Sequence, residues 1–183
     1  MSETGGLVVI VGPSGSGKDT LIDRMRDVFD GDPGVQFVRR TVTRPVQPGT
    51  EDHDSLSERD FEAAEARGSF CVTWRANGLA YGWPAELKEQ ISDGAVAIAN
   101  GSRQALPSIR AVFPKAKVVA LTVNEDELRR RLHARGRETA EQIEARIQRS
   151  LDSRVRGPNV VTIDNSGAVG DAARELERLI RSV

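Results

Sequence analysis

The sequence predicts an α/β fold of three layers around a mainly parallel sheet. Three observations carry this: four short apolar runs suited to strands buried on both faces, helical periodicity between them, and a glycine-rich segment joining the first run to the first helix. A chain of 183 residues fits a single domain. Its 26 basic and 27 acidic side chains nearly cancel, which argues against nucleic acid or an anionic membrane surface as the main partner.

Residues 7–11 form the first apolar run, and residues 19–29 follow as a helix with Leu21, Ile22, Met25 and Phe29 on one stripe. Residues 95–99, 118–123 and 160–163 supply the other three strands. Asn124-Glu125-Asp126-Glu127 and Thr139-Ala140-Glu141-Gln142 read as capping boxes opening two further helices, the second stopped by Gly157-Pro158. A last helix over 168–181 carries Ala172, Leu176, Leu179 and Ile180 at helical spacing. Residues 35–84 mix short apolar runs, turn signals and a helix capped at Ser57, the pattern of an inserted substrate-binding lobe. The core then comprises 1–34 and 85–183, with a helical lid over about 129–149.

The single cysteine, Cys71, reads as a small buried apolar residue, and no His/Cys/Asp cluster has structural-zinc spacing. No apolar stretch approaches the roughly 20 residues of a membrane span, so the expectation is a soluble cytoplasmic protein, monomer or homodimer. Arginine dominates the basic side chains: Lys18, Lys88, Lys115 and Lys117 are the only lysines among the 26. Its planar fork suits phosphate oxygens.

Gly12-Pro13-Ser14-Gly15-Ser16-Gly17-Lys18 is a phosphate-cradling loop of the P-loop NTPase type. Its glycines let backbone N–H groups approach phosphate oxygens, Lys18 adds a point charge, and the following helix directs its positive end at the same place. ATP with Mg²⁺ is the ligand this predicts. The usual motif has Ser or Thr directly after the Lys, whereas here Asp19 intervenes before Thr20. Thr20 is the candidate magnesium ligand, directly or through water, with Asp19 either an outer acceptor or a further metal contact.

With that loop followed by Thr41-Val42-Thr43-Arg44-Pro45 and Gly78-Leu79-Ala80-Tyr81-Gly82, the chain resembles guanylate kinases over nearly its whole length. The resemblance implies a guanylate-kinase-like fold with an ATP loop, an acceptor lobe and a lid. It also departs from that pattern. The carboxylates that read guanine in those enzymes correspond here to Val72 and Ile98, and the family's Asp-Tyr-x-Phe block is replaced after Asp54 by Ser55-Leu56. A guanine edge without acceptors would be disfavoured. Asp19 after Lys18, the Glu51-Asp52-His53 block and Asn100-Gly101-Ser102-Arg103 are instead similar to ribose 1,5-bisphosphate phosphokinases, a related family associated with phosphonate use. That resemblance implies phosphorylation of ribose 1,5-bisphosphate by ATP to 5-phosphoribosyl 1-diphosphate and ADP.

On this reading Arg44 clamps the acceptor phosphate, helped by Arg39 or Arg40, which alternate faces on a regular strand and so do not both reach it. Glu51, His53 and Tyr81 are further acceptor contacts, as are Asn100, Ser102 and Arg103, although Ser102 also reads as a helix cap. Of the lid arginines, the family match favours Arg135 and Arg146 at the transferring group, then Arg131 at the nucleotide. Asp164-Asn165 stands where guanylate kinases place an Asn-Asp pair near adenine, and equally suits a turn.

Overall fold

In the computed structural model, which describes residues 5–46, 52–136, 138–151 and 155–183, β1 (Gly6–Val11) is the centre of a five-stranded sheet. It pairs with β7 (Val96–Asn100) on one side and β8 (Lys117–Thr122) on the other, with β2 (Val35–Phe37) outside β7 and β9 (Val160–Asp164) outside β8. All four pairings are parallel. A run with no polar residue is what a strand covered on both faces requires: Val9 and Val11 enter one apolar cluster, Val8 and Ile10 the other.

α1 (Lys18–Val28) and α7 (Val169–Ile180) cover the second face through Leu21, Met25, Leu176 and Ile180. α4 (Leu106–Val112) covers the first through Leu106 and Ile109. Each such fully buried side chain contributes about 1.5–3 kcal/mol. The lid helices α5 (Glu125–Arg135) and α6 (Ala140–Leu151) have a cluster of their own: Leu128, Leu132, Ile143 and Ile147. Of the two expected capping boxes, the second is complete, Thr139 exchanging bonds with Gln142, whereas at the first Asn124 Oδ1 accepts from Glu127 N at 2.9 Å but Asn124 N donates to Ser166 Oγ, the Glu127 carboxylate being taken by Arg130 and Arg131.

A second sheet, in the order β4 (Asp54–Ser55), β3 (Thr41–Val42), β6 (Leu79–Pro84), β5 (Phe70–Ala76), makes the lobe with α2 (Glu58–Ala66). Ser57 caps α2 by accepting from Asp60 N. α3 (Leu87–Ser92) leads back to β7. The lobe begins later than the expected position 35, because β2 pairs with β7 in the core sheet. Three residues flanked by turns gave no periodicity by which to assign them. Cys71 is half-buried, its Sγ 3.2 Å from the Pro84 carbonyl, and desolvation pushes its thiol pKa up. Among the described residues no helix is long and apolar enough to cross a membrane.

Candidate active site

The loop between β1 and α1 is built as a cradle. Gly15 and Gly17 have φ of 91° and 89°, conformations costly for any residue with a Cβ, and a Cβ on Gly17 would lie 2.6 Å from Asn165 Nδ2. Lys18 Nζ donates to the carbonyls of Gly12 and Pro13, each at 3.0 Å, so its charge is held against the loop. Ser16 Oγ is fully buried and has no hydrogen-bond partner among the described residues. A buried hydroxyl left open within a positive loop suits a polyanion.

Asp19 and Thr20 are exposed at the first turn of α1. Asp19 Oδ1 accepts from Asn100 Nδ2 at 2.9 Å, so the amide of Asn100, 6 % exposed, is held against the first turn of the loop helix. Ser102 caps a short 3-10 turn, accepting from Gln104 N. Gly101 between them is required by packing, since a Cβ there would approach Val9 Cγ1 to 2.5 Å. Arg103, whose guanidinium pKa is lowered by desolvation, faces a cavity of about 650 Å³ at the C-terminal ends of β1, β8 and β9. Gly12, Pro13, Asn124, Arg156 and Asp164 line the same cavity. Ligands of parallel α/β sheets lie at this edge.

Two lid arginines reach the loop. Arg146 Nη1 donates to Ser14 Oγ at 2.8 Å while the same guanidinium is paired with Glu138. Arg131 donates to Ser16 O at 3.2 Å and to Asn165 O at 2.7 Å, with its Nε on Glu127 at 2.6 Å. Hydrogen bonds from Arg130 and Arg131 hold the Glu127 carboxyl down to about 2. Arg135, expected with Arg146, is exposed in the last turn of α5, away from the contacts that Arg131 and Arg146 make with the loop. Asn165 is 2 % exposed and donates to Ser16 O at 2.7 Å, while Asp164 accepts from Ser166, so both serve the loop and its turn before any base. The sequence marks Asn165 as half of a turn pair, and only the fold brings it under Ser16.

Arg39 and Arg40 lie between β2 and β3 rather than on a regular strand, and they have separate partners. Arg39 points to the outer side, its Nε on Asp54 Oδ1 at 2.6 Å and its Nη1 on Asp52, and hydrogen bonding to Asp54 raises its pKa. It is therefore spent on carboxylates. Arg40 lies on the other face with its guanidinium 5.0 Å from the centre of the Tyr81 ring, and that ring stacks on Trp74 at 5.2 Å. Arg44 is half-buried, and its Nε is buried without a hydrogen-bond partner among the described residues. His53, expected to touch the acceptor, is 1 % exposed and directs Nε2 at the Arg44 carbonyl, 3.2 Å away. Glu51 lies outside the described residues. Ser55, not singled out from the sequence as a site residue, donates to the same carbonyl at 2.8 Å.

The positions matching the guanine-reading carboxylates are sealed. Val72 is 3 % exposed, packed in the cluster with Trp74 and Trp83, and Ile98 is 1 % exposed beneath α1. Neither offers an acceptor to a base.

The family model for guanylate kinase matches residues 4–183. A ribose 1,5-bisphosphate phosphokinase PhnN of Brucella melitensis is 47 % identical over 170 residues, 93 % of this chain and 88 % of that protein. Proteins of the same name from Agrobacterium fabrum and Azotobacter vinelandii are 43 % and 42 % identical, covering 96 % and 97 % of this chain and 96 % of each relative. Among solved structures, guanylate kinase from Anaplasma phagocytophilum superposes with a TM-score of 0.70 at 15 % identity, over 99 % of this chain and 87 % of that one. At that identity the superposition speaks for the fold.

Proposed function

Since the chain belongs to the guanylate kinase family and, within it, groups with the ribose 1,5-bisphosphate phosphokinases, we propose that it phosphorylates ribose 1,5-bisphosphate with ATP, giving 5-phosphoribosyl 1-diphosphate and ADP. The observation that carries the choice of acceptor is the apolar burial of Val72 and Ile98 beside a lobe that retains Arg40, Arg44 and Tyr81. Among the described residues the lobe keeps cations for a phosphate, while Val72 and Ile98 supply no carboxylate where a guanine would be read.

The product carries its diphosphate on C1, so the attacking oxygen belongs to the 1-phosphate. That oxygen forms a bond to the γ-phosphorus as the bond from the γ-phosphorus to the β,γ-bridging oxygen breaks, and the electron pair leaves with ADP. The attacking group is already anionic near neutral pH, so no strong base is needed. Positioning and charge neutralisation supply the rate.

The loop N–H groups and Lys18 hold the ATP phosphates, Lys18 exchanging its loop carbonyls for phosphate oxygens. Arg146, already at Ser14, lies beside that loop and neutralises charge on the transferring group. Arg44 and Arg40 hold the accepting phosphate, and Arg103 brings a further guanidinium to the edge of the loop. Thr20 and Asp19, both exposed at the start of α1, would hold Mg²⁺, which would supply positive charge to the ATP phosphates. Arg131 with Asn165 holds Ser16 and so keeps the loop in shape.

An ADP-release assay over a panel of ribose 1,5-bisphosphate, GMP and other nucleoside monophosphates tests the proposal. Preferential turnover of ribose 1,5-bisphosphate is expected. Preferential turnover of GMP overturns it.

A further inference from the structure

Arg44 owes its place to an unusual amount of backbone support. The preceding residue is locked to β6 in both directions, Thr43 N donating to Ala80 O at 3.0 Å and Ala80 N to Thr43 Oγ1 at 2.8 Å. The following residue, Pro45, restricts Arg44 to extended backbone. Two side chains then converge on the Arg44 carbonyl, Ser55 Oγ at 2.8 Å and His53 Nε2 at 3.2 Å. A carbonyl only accepts, so the imidazole carries its proton on Nε2. His53 and Ser55 are two apart on an extended segment that β4 completes, which puts both on one face and makes the convergence possible.

One donor would satisfy this carbonyl. Two donors, one of them 1 % exposed, fix its direction as well. The guanidinium that this base carries has its Nε buried and without a hydrogen-bond partner among the described residues. A rigid backbone under a guanidinium whose Nε stands open among the described residues is an arrangement that positions a charge for an incoming anion.

We infer that His53 and Ser55 are positioning residues of the phosphotransfer reaction, clamping the Arg44 carbonyl so that the guanidinium meets the accepting phosphate of the substrate in a fixed orientation. The inference rests on the reading of Arg44 as an acceptor-phosphate ligand.

The test is steady-state kinetics of the full chain with ATP and ribose 1,5-bisphosphate for His53→Ala, His53→Gln, Ser55→Ala, Arg44→Ala and the pair Arg44→Ala/His53→Ala. His53→Ala is expected to raise the KM for the acceptor about tenfold and Ser55→Ala about threefold, with the KM for ATP changed less than about twofold. His53→Gln, which can return an N–H to the carbonyl, recovers most of the loss. In the Arg44→Ala background, His53→Ala has no further effect on the acceptor KM, as befits a residue acting through Arg44. Should His53→Ala fail to fold, His53→Gln and the exposed Ser55→Ala decide. Parallel rises in both KM values, or no rise in either, overturn the inference while leaving Arg44 in place. An Arg44→Ala protein with unchanged acceptor KM overturns the reading beneath it, and the inference with it.

Discussion

Asn100 Nδ2 donates to Asp19 Oδ1 at 2.9 Å, joining the end of β7 to the first turn of α1 across 81 positions of sequence. The residue after the loop lysine is thus oriented by the strand next to β1. Asn100→Asp sets a second carboxylate against Asp19, a repulsion of about 1–4 kcal/mol for charges roughly 4 Å apart near a surface. kcat/KM is expected to fall about tenfold or more, and further than in Asn100→Ala. Exchanging the pair, Asp19→Asn with Asn100→Asp, restores the bond in the opposite sense and recovers folding stability even if magnesium affinity stays low. Thermal melts and magnesium titrations of the three variants separate those two effects.

Lys18→Ala is expected to reduce turnover by at least about 10²–10³-fold while the melting temperature changes little, because water can satisfy the two loop carbonyls to which Nζ donates. Near-normal turnover would contradict the mechanism outright.

The Glu127 contact gives a pH signature. Its carboxyl is held down to about 2 from an ordinary 4.5 by Arg130 and Arg131. A depressed folded-state pKa contributes stability that is complete above about 4.5 and is lost as pH falls toward about 2. The difference in melting temperature between the parent and Glu127→Gln should therefore be constant from neutral pH to about 5 and shrink below 4.5. A difference that does not vary with pH in that window would show that the carboxylate's charge is not what holds Arg131.

Much of the core was legible because its elements carry their own periodicity: four strands of the core sheet, the caps at Ser57 and Asn124 and the capping box at Thr139 lie where the residues indicate. The loop was legible because glycine and lysine at fixed spacing have few other uses. β2 was missed because three half-buried residues carry no pattern. The site fared less evenly for a related reason. His53, Asn100 and Asn165 are polar residues in loops or at strand ends, and sequence marks them as available to ligands. Whether a polar group faces a substrate or another residue depends on partners distant in sequence: Arg44, Asp19 and Ser16. Arg135 and Arg131 differ by one turn of α5, and only the way that helix crosses the loop gives Arg131 the contact.

Restoring a guanine reader at one position should not restore guanylate kinase activity. Val72→Glu buries a carboxylate among Trp74, Trp83 and Leu106, at a cost of about 3–5 kcal/mol if it stays ionised and unpaired. A large fall in melting temperature without GMP turnover is expected, and Ile98→Asp should behave alike beneath α1. GMP turnover by either single variant would mean that these positions can open to the acceptor cleft.

Arg39 and Arg40 provide the sharpest contrast, because adjacent residues of one type are expected to behave oppositely. Arg39 is satisfied by Asp52 and Asp54 on the outer side of the lobe, where an exposed pair contributes about 0–1 kcal/mol to stability. Its removal should leave the acceptor KM within about twofold. Arg40 lies over Tyr81 on the face that also carries Trp74 and Val42, and the stacking holds its guanidinium for about 0.5–1 kcal/mol. Arg40→Ala should raise the acceptor KM about tenfold or more with the ATP KM unchanged, and Arg40→Lys should recover little, since an ammonium neither stacks on the ring nor forks to phosphate. Equal effects of Arg39→Ala and Arg40→Ala on the acceptor KM would place the phosphate within reach of both side chains, although one is held on Asp54 and the other over Tyr81, and would therefore require the lobe to rearrange when substrate binds.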